Sequence, residues 1–282
     1  MKKVFHSLKD IYSIQKISYI EKFLKPYKFK LSPNEWSYIA GLIDSDGSIS
    51  INRFGRTKNF YKYRVQVEIC NSNRELIEWL DKKIPFKNIR SYRRKNNRTM
   101  YVVNIYNIGS SFYTLLNVVE RLVLKYHVGF SALEFCYYKI LFNRSHNIEI
   151  HNMLDAIYEK VKELNRSNYG FSLEKYHGYY DGKGKTELYA YLSGVIDGDG
   201  TIYYNNRNEF YITIGTKNEE YAKWLSRHII GSYITKTKKS VYQVVLKNDI
   251  AILQLLKRIY PFIIVKKEKA KKILKNHTSW IP

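Results

Sequence analysis

Cysteine is too scarce here for the chain to be held together covalently. The only two, Cys70 and Cys136, lie far apart with no CxxC or Cys/His spacing, so neither a disulfide framework nor a zinc site is indicated and free buried thiols are expected. Long apolar runs are missing too. No stretch approaches the roughly 20 residues needed to span a bilayer, and the opening Met1-Lys2-Lys3-Val4-Phe5-His6 lacks the apolar core of a signal peptide. Acidic residues are few, 25 against 48 Lys and Arg, which gives a formal charge of +23. That excess goes beyond what solubility requires and points to a polyanionic partner, nucleic acid ahead of a membrane surface. The histidines show no HNH-like spacing, and ordinary surface or core roles are expected for them. With 45% hydrophobic and 16% aromatic residues, the chain is a folded protein with a basic surface rather than a disordered basic tail.

What the sequence does contain is a repeat. Trp36-Ser37-Tyr38-Ile39-Ala40-Gly41-Leu42-Ile43-Asp44-Ser45-Asp46-Gly47-Ser48-Ile49 returns as Tyr189-Ala190-Tyr191-Leu192-Ser193-Gly194-Val195-Ile196-Asp197-Gly198-Asp199-Gly200-Thr201-Ile202, at an offset of 153. The segments downstream of each copy repeat in order as well. Val67 to Glu75 leading to Trp79-Leu80 matches Ile212 to Glu220 leading to Trp224-Leu225 at an offset of 145, and Met100-Tyr101-Val102-Val103 and Val123-Leu124-Lys125 match Val241-Tyr242-Gln243-Val244 and Ile264-Val265-Lys266 at 141. The offset changes between predicted elements, where loops absorb insertions, so the chain reads as a duplicated fold.

Within a unit, the segment ending at Asp-Gly has helical periodicity. Ile49 and Ile51 then alternate with Ser48, Ser50 and Asn52, and Val65, Val67 and Ile69 with Arg64, Gln66 and Glu68. A helix is predicted over 74–83, a second strand pair over about 88–95 and 99–107, and a helix over 111–122. The fold class is α+β: two pseudo-symmetric αββαββα repeats packed through their motif helices, with curved antiparallel sheets. The expected organisation is an extension over 1–30, a first repeat over 31–135, a helical linker and loop over 136–187, and a second repeat over 188–282. Helices are predicted in the linker over 130–142 and 148–164. Gly184-Lys185-Thr186 echoes a phosphate-binding loop, but Tyr179 stands where its first glycine is required and no strand precedes it, so that reading is rejected.

Each motif ends in an acidic residue followed by glycine, as expected at a left-handed helix cap. The charge is unusual there. A carboxylate in the last turn faces the negative end of the helix dipole and costs roughly 0.3 to 1 kcal/mol. Two such carboxylates, Asp46 and Asp199, imply a cation that offsets the repulsion. Small residues, Ala40 and Gly41 in one copy and Ser193 and Gly194 in the other, would let the two helices approach closely and make the aspartates neighbours, an arrangement suited to hard, oxygen-ligated ions such as Mg²⁺.

The paired motifs, their wide spacing and the colinear strands resemble the LAGLIDADG homing endonucleases in their single-chain, two-motif form, over most of the chain. The first copy, residues 39–47, departs from the family string at two positions; the second, 192–200, is looser but keeps the acidic position. The resemblance implies a site-specific, metal-dependent double-strand DNA endonuclease acting in intron or intein homing. By it Asp46 and Asp199 bind Mg²⁺, for which Mn²⁺ or Ca²⁺ can substitute in binding, and the backbone at Ser45 and Gly198 adds carbonyls. Asp44 and Asp197 are read as structural. Lys125 and Lys266 match the family's lysines near the solvent around the metals, and Asn71 and Thr216 match a further polar position.

The polar strand face would lie in a DNA major groove, with Ser48, Ser50, Asn52, Arg64, Gln66 and Glu68 from the first unit and Thr201, Tyr203, Tyr211, Thr213 and Gln243 from the second. Arg90, Arg93, Arg94, Lys95 and Arg98, and on the other side Lys236, Lys238 and Lys239, are expected at phosphates. The partner is double-stranded DNA, with intron RNA as a further possibility, and no membrane; the chain is expected to act as a monomer with an internal pseudo-two-fold and an asymmetric target. An RNA maturase and a non-catalytic DNA-binding module are the rival readings. Abundant Lys, Asn, Ile and Tyr share AT-rich codons, which suggests an organelle-encoded protein of mitochondrion or chloroplast, or else a phage or bacterial cytoplasmic one.

Overall fold

The computed structural model describes residues 14–56, 60–142, 147–181, 185–205, 207 and 209–277. Part of the expected N-terminal extension and of the Gly-rich loop therefore lies outside the described residues. A first helix, α1 (Ile14–Leu24), leads into the motif helix α2 (Pro33–Asp46). The start of α2 is set locally: Pro33 occupies the first turn, the Ser32 hydroxyl accepts from Glu35 N–H at 3.2 Å, and the Glu35 carboxylate accepts from Ser32 N–H at 2.7 Å, a reciprocal cap that satisfies two orphan donors. After it come β1 (Gly47–Arg56), β2 (Tyr61–Asn71), α3 (Arg74–Lys83), β3 (Asn88–Arg93), β4 (Thr99–Ile105), α4 (Ile108–Val118) and α5 (Tyr126–Leu141). The linker helix α6 (Ile148–Arg166) comes next. The second unit repeats the order with α7 (Lys185–Asp199), β5 (Gly200–Tyr204), β6 (Phe210–Thr216), α8 (Glu219–His228), β7 (Tyr233–Lys236), β8 (Tyr242–Leu246), α9 (Asp249–Ile259) and α10 (Lys267–Asn276).

Both sheets are antiparallel, in the orders β1-β2-β4-β3 and β5-β6-β8-β7. Ile49, Ile51, Val65, Val67 and Ile69 are buried, as are Ile202, Ile212 and Ile214, so the alternation read from sequence separates a helix-covered face from an open one. The open faces form a saddle astride α2 and α7, which pack against each other along their lengths.

The offsets have a structural cause. Gly47 pairs with Ile69 and Gly200 with Ile214, so the fall from 153 to 145 is an eight-residue shortening of the second unit's first hairpin. Likewise Ser91 pairs with Tyr101 and Lys236 with Tyr242, which puts the fall to 141 inside the second hairpin. Both hairpins of the first unit reach farther out.

Three expectations are corrected. The helix predicted over 111–122 is α4 followed by a 3-10 turn at Val119–Arg121, because the Asn107 side chain caps an earlier start by accepting from Gly109 N–H at 2.9 Å. The linker helix expected from 130 begins at Tyr126. Neither motif glycine is a left-handed cap: Gly47 has φ −100° and ψ 173°, extended backbone, and Gly200 is not among the glycines with positive φ. Their glycine requirement is close approach. A Cβ on Gly47 would lie 2.6 Å from the Ile43 Cα and 2.9 Å from the Glu68 carbonyl oxygen, and one on Gly200 would lie 2.6 Å from the Ile196 oxygen. Each motif helix turns straight into a strand, and only hydrogen fits at the corner.

Candidate active site at the paired motif helices

Contact between α2 and α7 is backbone to backbone. A Cβ on Gly41 would sit 2.1 Å from the Tyr191 carbonyl oxygen, and one on Gly194 would sit 2.2 Å from that of Tyr38. Ser193 does not serve this contact, since its hydroxyl donates to Tyr189 and Ile259 carbonyls in its own unit. At the far end of the pair, a Cβ on Gly198 would lie 2.1 Å from Ser45 Oγ and 3.4 Å from Asp46 Cγ. The two motif ends therefore meet, and the Asp46 carboxylate lies against the backbone of the opposite motif.

The earlier aspartates hold this arrangement. Asp44 accepts from the N–H groups of Val123, Leu124 and Lys125 at 2.7, 3.1 and 2.9 Å and from the Tyr191 hydroxyl at 2.7 Å. Asp197 repeats the pattern with Ile264, Val265 and Lys266 at 2.7, 3.1 and 3.0 Å and the Tyr38 hydroxyl at 2.7 Å. Each buried carboxylate thus anchors the segment leading into α5 or α10 and takes one bond from the other unit. Burial is tolerable because four donors replace the lost water. Tyr38 and Tyr191 were not singled out in the sequence, although tyrosine at one position in both copies was the available signal.

Asp46 and Asp199 are placed differently from these anchors. Asp46 is half-buried and accepts from Asn71 Nδ2 at 2.7 Å. The Asn71 oxygen in turn accepts from Asn73 N–H, which fixes the amide's orientation. Thr216, at the matching position, accepts from Asn218 N–H at 3.2 Å, and among the described residues Asp199 has no hydrogen-bond donor. Desolvation on one side and the negative charge of Asp46 push the Asp199 carboxyl up to about 6, against the pull of Lys125 and Lys266. Asp46 is also raised, by burial, against the Asn71 amide and the charges of Lys266, Lys125 and Arg94.

Both lysines point at the motif ends, beside the aspartates as expected, but Lys125 is buried. It is 3% exposed, and its Nζ donates to the carbonyls of Ile43, Asp44 and Gly47 at 2.6, 2.8 and 2.9 Å. The favourable charge that α2 lacks in its own last turn is supplied from the loop ahead of α5. Lys266 is half-buried and donates to the Asp197 carbonyl at 2.7 Å. Two grooves flank this centre. One, of about 830 Å³, is lined by Asp46, Asn71, Arg94, Arg98 and Lys266; the other, of about 420 Å³, by Asp199, Thr216, Lys217, Lys125 and Tyr169.

A hard divalent ion fits this donor set. Among the described residues no group of three or more His, Cys, Asp or Glu side chains converges, so the protein offers two carboxylates and nearby carbonyls rather than a closed cage. That suits Mg²⁺, which keeps several waters and completes its shell with phosphate oxygens.

The open faces carry the polar residues expected there. Ser48, Ser50 and Asn52 pair with Glu68, Gln66 and Arg64, and Thr201 and Tyr203 with Thr213 and Tyr211. Gln243 lies opposite Gly215 and Thr235 on the same face. Several are mutually engaged: Asn52 donates to Gln66, Arg90 pairs with Glu68 at 3.2 Å, and the Tyr203 and Tyr211 rings stack at 4.6 Å. The Arg64 guanidinium sits 5.0 Å from the Phe54 ring and 5.2 Å from that of Tyr106. Arg93 and Lys236 share the parity of inward-packed Ile89 and Ile234, so they do not join Arg90 on the open face; Lys236 lies over the Tyr242 ring at 5.0 Å. Arg94, Lys95, Arg98, Lys238 and Lys239 are exposed at the hairpin turns. Cys136 is buried as expected, but Cys70 is half-exposed on the open face, its Sγ 3.7 Å from the Tyr92 hydroxyl. No helix among the described residues is long and apolar enough to cross a membrane.

Two helix-and-sheet units joined through glycine-packed helices, each ending in a carboxylate at the dyad, define the class. Residues 39–138 match the family model described as LAGLIDADG endonuclease, and the chain shares the fold of single-chain LAGLIDADG homing endonucleases. It is similar to I-SmaMI bound to an uncleaved DNA target with calcium ions, at 13% identity over 88% of this chain and 94% of that one, TM-score 0.62. I-LtrWI bound to target DNA gives 13%, 88%, 91% and 0.62, and I-GzeII in complex with its DNA target 13%, 89%, 92% and 0.63. A search of curated protein sequences finds no match.

Proposed function

We propose that this chain is a site-specific DNA endonuclease that lays its two sheets along a long, asymmetric duplex and breaks both strands at the paired aspartates with a divalent cation, as in intron or intein homing. The observation that carries the reading is the meeting of Asp46 and Asp199 at the contact of α2 and α7, where burial raises both carboxyls and the charge of Asp46 raises Asp199 further. Bound there, Mg²⁺ would polarise a phosphate oxygen and make a neighbouring water more acidic. Each cut adds one water to one phosphorus and breaks one P–O ester bond, leaving a hydroxyl on one fragment and a phosphate on the other; one water proton goes to solvent and one proton reaches the leaving oxygen. Asp46 and Asp199 hold the cation, Asn71 fixes the Asp46 carboxylate, and Lys266 offers charge and N–H groups to the phosphate. Arg94, Arg98 and the exposed lysines hold the backbone of the duplex, so binding should weaken steeply with salt.

The test is cleavage of a duplex containing the intronless junction, with Mg²⁺ and then Ca²⁺, by the parent chain and by Asp46→Asn and Asp199→Asn. Double-strand cutting that either substitution abolishes while binding persists supports the reading. Tight binding without cutting by the parent overturns it and makes intron RNA the next substrate to try.

A further inference from the structure

The two units match so closely at their centre that the places where they differ stand out, and they fall on the two lysines. We infer that the half-sites act in a fixed order, the strand lying in the Asp46, Asn71 and Lys266 groove being cut first, and that Tyr169 of the linker is the positioning residue that holds the other half back. This rests on the nuclease reading of the paired aspartates.

Three geometric differences point the same way. The first is what each ammonium group already does. Lys125 spends its Nζ on three carbonyls, at 2.6, 2.8 and 2.9 Å, whereas the Lys266 Nζ makes one such bond, at 2.7 Å, and stays half-exposed. An ammonium has three donors, so Lys125 has none left for a phosphate oxygen and Lys266 has two.

The second is the cover over Lys125. The Tyr169 ring lies 5.1 Å from its Nζ, within cation–π range, and Tyr169 holds a positive φ of 66°, a conformation that a bulky side chain rarely adopts. The adjacent linker helix is tied to the first sheet by Asn165, whose Nδ2 donates to the Ile49 carbonyl at 2.9 Å. Among the described residues no ring covers Lys266 in this way.

The third is room and preorganisation. The Asp46 groove is about 830 Å³ and the Asp199 groove, lined in part by Tyr169, about 420 Å³. Asp46 is already oriented by Asn71 at 2.7 Å, while Thr216 makes no equivalent bond to Asp199. A pre-oriented acid, a lysine with free donors and a larger groove favour one half; the other must first release a saturated lysine. Each cut consumes one water, so a nicked duplex is a complete intermediate.

The experiment tracks both strands of an intronless-junction duplex, labelled separately, with Mg²⁺, for the parent and for Lys266→Met, Tyr169→Ala, Tyr169→Leu and Tyr169→Phe. The parent should accumulate one nicked species, with strand rates differing at least about tenfold. Lys266→Met should slow that faster strand roughly a hundredfold, the usual effect of losing an electrostatic donor. Tyr169→Ala should narrow the ratio between strands, Tyr169→Leu should do the same with the volume largely kept, and Tyr169→Phe, which keeps the ring, should preserve the parent ratio. Amine labelling read by mass spectrometry gives a second readout: Lys266 labels and Lys125 is protected in the parent, and Lys125 gains reactivity in Tyr169→Ala. Equal strand rates in the parent, or a Tyr169→Leu variant that slows both strands alike, overturn the inference alone. No cut in either strand while the parent binds overturns the nuclease reading as well.

Discussion

Replacing Gly41 by alanine tests the helix contact on which the whole centre depends. The added Cβ would lie 2.1 Å from the Tyr191 carbonyl oxygen, 3.0 Å from Val195 N and 3.1 Å from the Tyr191 carbonyl carbon. All three are backbone atoms of α7, so no rotamer change relieves the clash. An ordinary carbon–oxygen contact needs about 3.3 Å, so the helices must part by about 1 Å. That displacement stretches the two 2.7 Å bonds from Tyr38 to Asp197 and from Tyr191 to Asp44 beyond useful length. Losing hydrogen bonds to buried carboxylates costs about 1.5 to 3 kcal/mol each, and overpacking about 1 to 3 kcal/mol more. Alanine's better helix propensity returns only about 1 kcal/mol. The expected loss is about 3 to 8 kcal/mol, a large share of a typical total of about 5 to 15 kcal/mol. Denaturant unfolding with a thermal melt reads it directly. Gly55→Ala is the control, because its nearest neighbour would be the Lys62 Cδ at 3.8 Å, and its stability should stay within about 1 kcal/mol of the parent. A Gly41→Ala protein as stable as the Gly55→Ala protein would refute the backbone-to-backbone contact.

Other outcomes are expected from the same geometry. Asp199→Asn should raise the melting temperature of the metal-free protein at pH 8: a carboxyl held near 6 in the fold against about 3.8 when unfolded makes ionisation destabilising, so the gain is full above pH 6 and fades as pH falls toward 4. Millimolar Mg²⁺ or Ca²⁺ without DNA should raise the parent's melting temperature and leave the Asp199→Asn protein nearly unmoved, as calorimetry would show. Tyr38→Phe and Tyr191→Phe should each cost about 1 to 3 kcal/mol in denaturant unfolding, and together should depart from additivity because both act on one helix contact. Footprinting should give unequal half-sites. The first hairpin of unit one is eight residues longer, four per strand, or about 13 Å at the rise of a strand, so protection should run roughly four base pairs farther on that side.

The sequence made the centre of the molecule legible because the duplication could be read twice. Asp46 and Asp199 at matched helix ends, and glycines at matched helix faces, need no long-range information once the offset of 153 is seen. The sheets were legible through their alternation, and α3 came out at the residues expected. What pattern could not give was how the loops close back on the motif. The burial of Lys125 depends on three carbonyls at the end of a helix and the start of the strand after it, some eighty residues earlier. Asp44 and Asp197 could be read as structural, but not that each takes a hydroxyl from the other unit. The glycine after each motif was assigned the wrong reason, because a steric corner between helix and strand leaves the same sequence mark as a left-handed cap. Tyr169 carried no local signal at all; its place is set by the path of α6 and the turn after it.

The exchange of hydroxyls between Tyr38 and Asp197 and between Tyr191 and Asp44 also bears on how such a molecule can be rebuilt. Each unit finishes its own buried anchor with an atom borrowed from the other, so neither half is a self-sufficient module. Chimeras that graft one half onto a foreign partner should be less stable where that partner lacks a tyrosine and an aspartate at the same two places. The hairpins are under no such constraint and have already drifted by eight and four residues between the units. Recombination and redesign are therefore confined to the arms of the saddle, while its spine has to be inherited whole.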